Sequence, residues 1–150
     1  MAVDLGLRSG LAVYGDDGKL RAFRSVHFAS MAALKRGVFG LLQQAEGLEW
    51  VVVEGDRRMG DVWASAAEKQ GARTQRVSPE TWRAQLLLAR EMRSGALAKE
   101  HADTLARRVV EWSGARRPTS LSPDVAEAIL IGLWGVIHAG WLHVPPHWRP

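Results

Sequence analysis

The chain has 150 residues, 47% of them hydrophobic and 24% charged, which is enough for one buried core and too little for two. That balance excludes a disordered chain, and the absence of cysteine excludes disulfide frameworks, thiolate zinc sites and cysteine nucleophiles and reads as an intracellular, cytoplasmic protein. The net charge of +4 comes from 20 cations, sixteen of them Arg, against 16 acids. It favours a polyanionic partner such as nucleic acid, although an arginine-rich genome spells its surface cations the same way. Asp4 and the lack of a basic stretch before an apolar one argue against a secretory signal. The longest apolar run, around residues 128–139, is shorter than the roughly 20 residues of a membrane span, so no membrane association is expected.

In chain order, residues 2–14 read as two strands joined at a tight turn and closed by Gly15-Asp16-Asp17-Gly18. Residues 20–28 alternate apolar and polar, which predicts a third strand antiparallel to the second. Ser30 is positioned to cap a helix through Met31, Leu34, Val38 and Leu42 that ends near Gly47. Trp50-Val51-Val52-Val53 is a β-branched run of the kind buried on both faces of a sheet, and it ends on Glu54.

A helix over 60–70 and a short strand over 74–77 follow. Ser78-Pro79-Glu80 then starts a helix through Trp82 and Leu86 to Leu88. Further helices are predicted over 99–112 and from Ser122-Pro123-Asp124 through Ile137. The resulting plan is α/β, a mixed five-stranded sheet with three antiparallel strands and then two parallel ones, flanked by helices. Residues 1–143 form the domain, and residues 144–150, interrupted by three prolines, read as a loosely docked arm.

Four acids stand out. Asp4 lies between apolar neighbours in the first strand, where a carboxylate is expensive to bury alone. Glu54 ends the fourth strand, and if those strands are neighbours the two carboxylates lie side by side, which a divalent cation would compensate. Asp124 and Glu127 are three apart at the start of the last helix and share a face. The same pair also reads as a helix-start acid with its capping partner. Four converging carboxylates suit two Mg²⁺ or Mn²⁺ ions about 4 Å apart, hard cations that activate a water and stabilise a leaving oxygen in phosphodiester hydrolysis.

Val3-Asp4-Leu5-Gly6, Val51-Val52-Val53-Glu54, Gly95-Ala96-Leu97-Ala98-Lys99-Glu100 and Ser122-Pro123-Asp124-Val125-Ala126-Glu127-Ala128 together resemble the RuvC-type Holliday-junction resolvases of the RNase H-like (retroviral integrase-like) superfamily, over residues 2–137. The resemblance implies an RNase H-like fold and a divalent-metal endonuclease that nicks four-way DNA junctions symmetrically, usually as a homodimer. It maps the four acids to Asp4, Glu54, Asp124 and Glu127, and places Lys99 at the family's basic position. Two departures are visible. The fourth acid is commonly Asp and is Glu127 here, and residues 56–71 form a shorter stretch than in the bacterial enzymes, as in phage-type relatives.

Arg8, Arg57, Arg58 and Lys99 are the candidates for phosphate contact, ahead of Arg107, Arg108, Arg116 and Arg117. Lys99 also reads as an ordinary solvated helix-start lysine. Trp82, Trp112 and Trp134 fall at apolar helical positions and read as core, whereas Trp63 follows the Arg pair and reads as core or as a wedge at a junction. Asp56 and Asp61 read as solvated turn residues, and the spacing of His138, His143 and His147 argues against zinc. The rival functions are an RNase H-type ribonuclease on RNA–DNA hybrids and a non-catalytic branched-DNA-binding module. An actin-like ATPase would need a duplicated half that 150 residues cannot supply, so no nucleotide cofactor is expected.

Overall fold

The computed structural model describes residues 1–143; the Pro-rich segment 144–150 lies outside the described residues. The chain runs β1 (Ala2–Asp4), β2 (Arg8–Tyr14), β3 (Leu20–His27), α1 (Met31–Gln43), β4 (Trp50–Glu54), α2 (Arg57–Glu68), β5 (Arg73–Arg76), α3 (Pro79–Leu86), α4 (Gly95–Ser113) and α5 (Pro123–His138). A 3₁₀ turn over Ala89–Met92 links α3 to α4. The five strands form one mixed sheet in the order β3-β2-β1-β4-β5. β1, β2 and β3 pair antiparallel, and β4 pairs parallel with β1 and with β5. This is the α/β plan expected from the alternation of hairpins and helical crossovers.

Two apolar clusters lie on opposite faces of the sheet. Ala2, Ala12 and Val52 point to the face covered by α3, α4 and α5, whereas Val3, Leu11, Val51 and Val53 point to the face covered by α1 and α2. The alternation follows from the two-residue period of a strand. It explains why β1 and β4 at the sheet centre read as continuous apolar runs. α5 is buried on nearly every side, and it can press onto the sheet because Gly132 and Gly135 face it. A Cβ on Gly135 would lie 2.9 Å from Val52 Cγ2, and one on Gly132 would overlap the Tyr14 ring.

Two helix starts differ from expectation, each because of a cap. α2 begins at Arg57 because the Asp56 carboxylate accepts from Met59 N at 2.9 Å, so Asp56 is an N-cap. α4 begins at Gly95 because Ser94 Oγ accepts from Leu97 N. Asp61, expected in a turn, is a helical residue whose carboxylate pairs with Arg76 at 2.5 Å. Trp63 is completely buried in the α1/α2 cluster, which overturns its reading as a junction wedge. Its indole N–H has no hydrogen-bond partner among the described residues. Trp82 and Trp134 are buried as expected. Trp112 is half-buried at the end of α4, with Lys19 Nζ 3.3 Å above its ring. Among the described residues, no helix is long and apolar enough to cross a membrane.

A Cβ on Gly10 would overlap the backbone carbonyl of Asp124, so β2 and the start of α5 touch backbone to backbone. Gly10→Ala should therefore destabilise the protein by about 2 kcal/mol or more, in the range of overpacked cores. Gly40, inside α1 with nothing within 4 Å of its added Cβ, provides the contrast. Gly40→Ala should stabilise by about 0.5–1 kcal/mol. Urea midpoints of the two variants check the opposite signs, and a neutral Gly10→Ala would refute the close approach.

Candidate metal centre

The register of β1 on β4 sets Asp4 opposite Glu54, and the parallel pairing brings the C-terminal ends of both strands to the same edge of the sheet. Leu5 N donates to Glu54 O at 2.8 Å, which extends the pairing one residue past Asp4. α5 crosses that edge with its first turn over Gly10, the antiparallel partner of Asp4. Glu127 comes from the second turn of the same helix. Oxygens of Asp4, Glu54 and Glu127 all lie within 4.8 Å of one another, a group that could hold a metal ion.

The electrostatics fit that geometry. Asp4 is pushed up to about 8, first by burial, then by the negative charges of Glu127, Glu54 and Asp124, with Arg83 opposing. Burial also raises Glu54, and repulsion from Glu127 adds to the rise. A hydrogen bond from the Trp82 indole, Nε1 to Glu54 Oε2 at 3.3 Å, and the nearby Arg83 charge act the other way. Hard carboxylate oxygens in a tight group of like charge are the donor set that suits Mg²⁺ or Mn²⁺, so the residues present fit a divalent cation.

The other expected site residues fall in different places. Asp124 stands beside the group and outside it, its Oδ2 accepting a hydrogen bond from Ser25 Oγ on β3. The expected convergence of four acids is therefore a convergence of three with the fourth alongside. Lys99 is exposed on α4 and lines a cavity of about 60 Å³ together with Glu127 and Asp103. Arg57 and Arg58 are the exposed first two residues of α2, three and four positions beyond Glu54, and Arg8 is exposed at the start of β2. No family model matches the chain. No curated protein matches it either.

Two residues at the site carried no signal of function in the sequence. Arg83 on α3 pairs with Glu127 at 3.0 Å and lies 5.0 Å over the Trp82 ring, which makes it the cation bound directly to the acidic group. Ser25 reads only as a polar position in an alternating strand. A helix start at Ser78-Pro79 was legible, but which side α3 turns to the carboxylates depends on tertiary packing. A separate cavity of about 290 Å³ lies at the opposite end of the sheet among Tyr14, Trp50, Trp134 and Trp141, and holds none of these acids.

The raised acids set a pH dependence. Folded Asp4 keeps its proton up to about pH 8, whereas its unperturbed value is 3.8, so across that interval the folded state binds more protons than the unfolded one. In chelator, stability contributed by this group should fall as pH rises from about 4 to about 8 and level off above it. The Met1 ammonium, lowered by burial to about 5, slopes the other way, so the comparison with Asp4→Asn isolates the carboxylate. Wild type should lose stability relative to Asp4→Asn between pH 5 and 8.5 in denaturant titrations. Millimolar Mg²⁺ should recover much of that loss at pH 8.5, and parallel curves would contradict the assignment.

Proposed function

We propose that the chain is a divalent-metal-dependent, structure-selective endodeoxyribonuclease that resolves four-way DNA junctions by phosphodiester hydrolysis. The observation that carries the reading is the convergence of Asp4, Glu54 and Glu127 within 4.8 Å at one edge of the sheet, with Asp124 flanking them. Three of the four acids that the resemblance singles out thus meet on a five-stranded sheet of order β3-β2-β1-β4-β5, and this supports the reading. Asp4, Glu54 and Glu127 would hold one Mg²⁺ or Mn²⁺ ion, and Asp124 with Asp4 a second. Bound there, such ions lower the pKa of a water nucleophile and neutralise charge on the scissile phosphate and the leaving 3′-oxygen.

The remaining work falls to the chain's own side chains. Arg83 holds Glu127 in place and offers a guanidinium to a phosphate oxygen at the site. Trp82, itself buried, donates its indole N–H to Glu54 and holds that carboxylate in place. Arg57 and Arg58 project from the α2 start just past Glu54, and Lys99 and Arg8 flank the same edge, so a DNA backbone crossing the carboxylates meets cations on several sides. Two such sites related by a two-fold axis match the symmetry of a junction, so the active species on this reading is a homodimer in the cytoplasm of a cell or phage-infected host.

A synthetic four-way junction, a linear duplex of the same sequence and an RNA–DNA hybrid, incubated side by side in Mg²⁺ or Mn²⁺, test the proposal. Paired symmetric nicks in the junction, with the duplex spared, are expected. Preferential cutting of the hybrid's RNA strand would replace the reading with a ribonuclease, and junction binding with no cleavage in either ion would leave a branched-DNA-binding module.

Asp4→Asn, Glu54→Gln, Asp124→Asn and Glu127→Gln should each lower junction cleavage by more than the roughly 10- to 100-fold that loss of an outer-shell partner costs. Junction affinity should be unchanged or higher, because each change removes negative charge. Arg57→Ala with Arg58→Ala should weaken binding to all sequences alike and reduce the salt slope by about one for each phosphate no longer neutralised. Gel-shift titrations at several salt concentrations check both.

A further inference from the structure

Four register partners form a row across the sheet at the level of the site: Glu54 on β4, Asp4 on β1, Gly10 on β2 and Ser25 on β3. Register partners on neighbouring strands point to the same face, so the row presents two carboxylates, a gap and a hydroxyl to α5. Asp124 fills the gap, its backbone resting where a Gly10 side chain would be. It therefore stands between Asp4 on one side and Ser25 on the other. Its carboxylate lies outside the group formed by Asp4, Glu54 and Glu127 and accepts from Ser25 Oγ.

The other acids are held too. Glu127 pairs with Arg83 and Glu54 accepts from Trp82, whereas the Asp4 carboxylate has no hydrogen-bond or ion-pair partner among the described residues. A fourth carboxylate turned toward Asp4 would add repulsion to a group already crowded with like charge. The Ser25 hydroxyl is the neutral donor that gives Asp124 a partner on the side away from that group.

We propose that Ser25 is a positioning residue that parks Asp124 away from Asp4, so that the site takes a first divalent ion on Asp4, Glu54 and Glu127 and a second only when Asp124 exchanges Ser25 for the ion. The proposal rests on the metal-binding reading above and assigns to a residue of β3 the control of the difference between the two affinities. The hydrogen bond that must be given up is exposed to solvent, so its effect is no more than that of an ordinary bond, about three- to tenfold in a binding constant.

Mn²⁺ titration of the full chain without DNA, followed by calorimetry and by the electron paramagnetic resonance signal of free Mn²⁺, reads this directly. Wild type should bind one ion and then a weaker second. Ser25→Ala should tighten the second by about three- to tenfold and leave the first unchanged, and Ser25→Thr, which keeps the hydroxyl, should retain the wild-type gap. An unchanged or weakened second ion in Ser25→Ala would overturn the parking role while leaving the metal centre standing. If wild type bound no Mn²⁺ that Asp4→Asn removes, the metal centre would fall and the role of Ser25 with it.

Discussion

The parallel pairing of β1 with β4 is the constraint on which the rest of the site depends. It places Asp4 opposite Glu54, and neighbouring strands are only about 4.8 Å apart. Two carboxylates held at that spacing beneath a helix cannot both stay ionised cheaply, and Asp4, raised to about 8, records the cost. The neighbours act to contain it. Trp82 donates to Glu54, Arg83 pairs with Glu127, and Ser25 draws Asp124 aside. None of them gives the Asp4 carboxylate a partner of its own, so Asp4 stays protonated up to about pH 8 and a divalent cation competes there with a proton.

That constraint is held by the two-sided core. β1 and β4 are packed on one face by α5 and on the other by the α1/α2 cluster, so neither strand can slide by one residue without exchanging its two apolar sets. The glycines on α5 and the gap at Gly10 then fix how deeply the helix sits, and with it the height of Glu127 above Asp4. The carboxylate geometry is thus set by apolar packing on both sides of the sheet.

Much of this arrangement is legible in the residues themselves. The Val-rich run ending in Glu54, the embedded Asp4 and the Asp-x-x-Glu at the start of the last helix mark their own elements, because strand period, caps and proline at the first helical turn are local signals. The meeting of Asp4 and Glu54 follows once β1 and β4 are adjacent, and Glu127 joins them through the seating of α5 over Gly10. What the residues do not carry is orientation across the sheet. Ser25 is one polar position among several in an alternating strand, and only its register with Gly10 brings it to Asp124. Arg83 is one of sixteen arginines, distinguished only by the turn of α3 that faces Glu127. Trp63 misleads for the opposite reason. Its neighbours Arg57 and Arg58 are polar because they begin a helix, and they say nothing about the face that the tryptophan buries one turn later.

The charge distribution gives the site an order of events. The chain as a whole is cationic by four charges, yet the edge of the sheet where the acids meet is locally negative. On the nuclease reading, a phosphate approaching the site before any ion binds would be attracted by Arg57, Arg58 and Lys99 at a distance and repelled by the carboxylates at close range. Arg83 cannot reverse this while it is paired with Glu127. A divalent ion held by Asp4, Glu54 and Glu127 would neutralise the carboxylates and compete with Arg83 for Glu127, which would free more of the guanidinium for an anion. On the nuclease reading, cation loading precedes close engagement of the phosphate. On the same reading the surface cations would govern encounter, and the carboxylates and Arg83 would govern how the phosphate is seated.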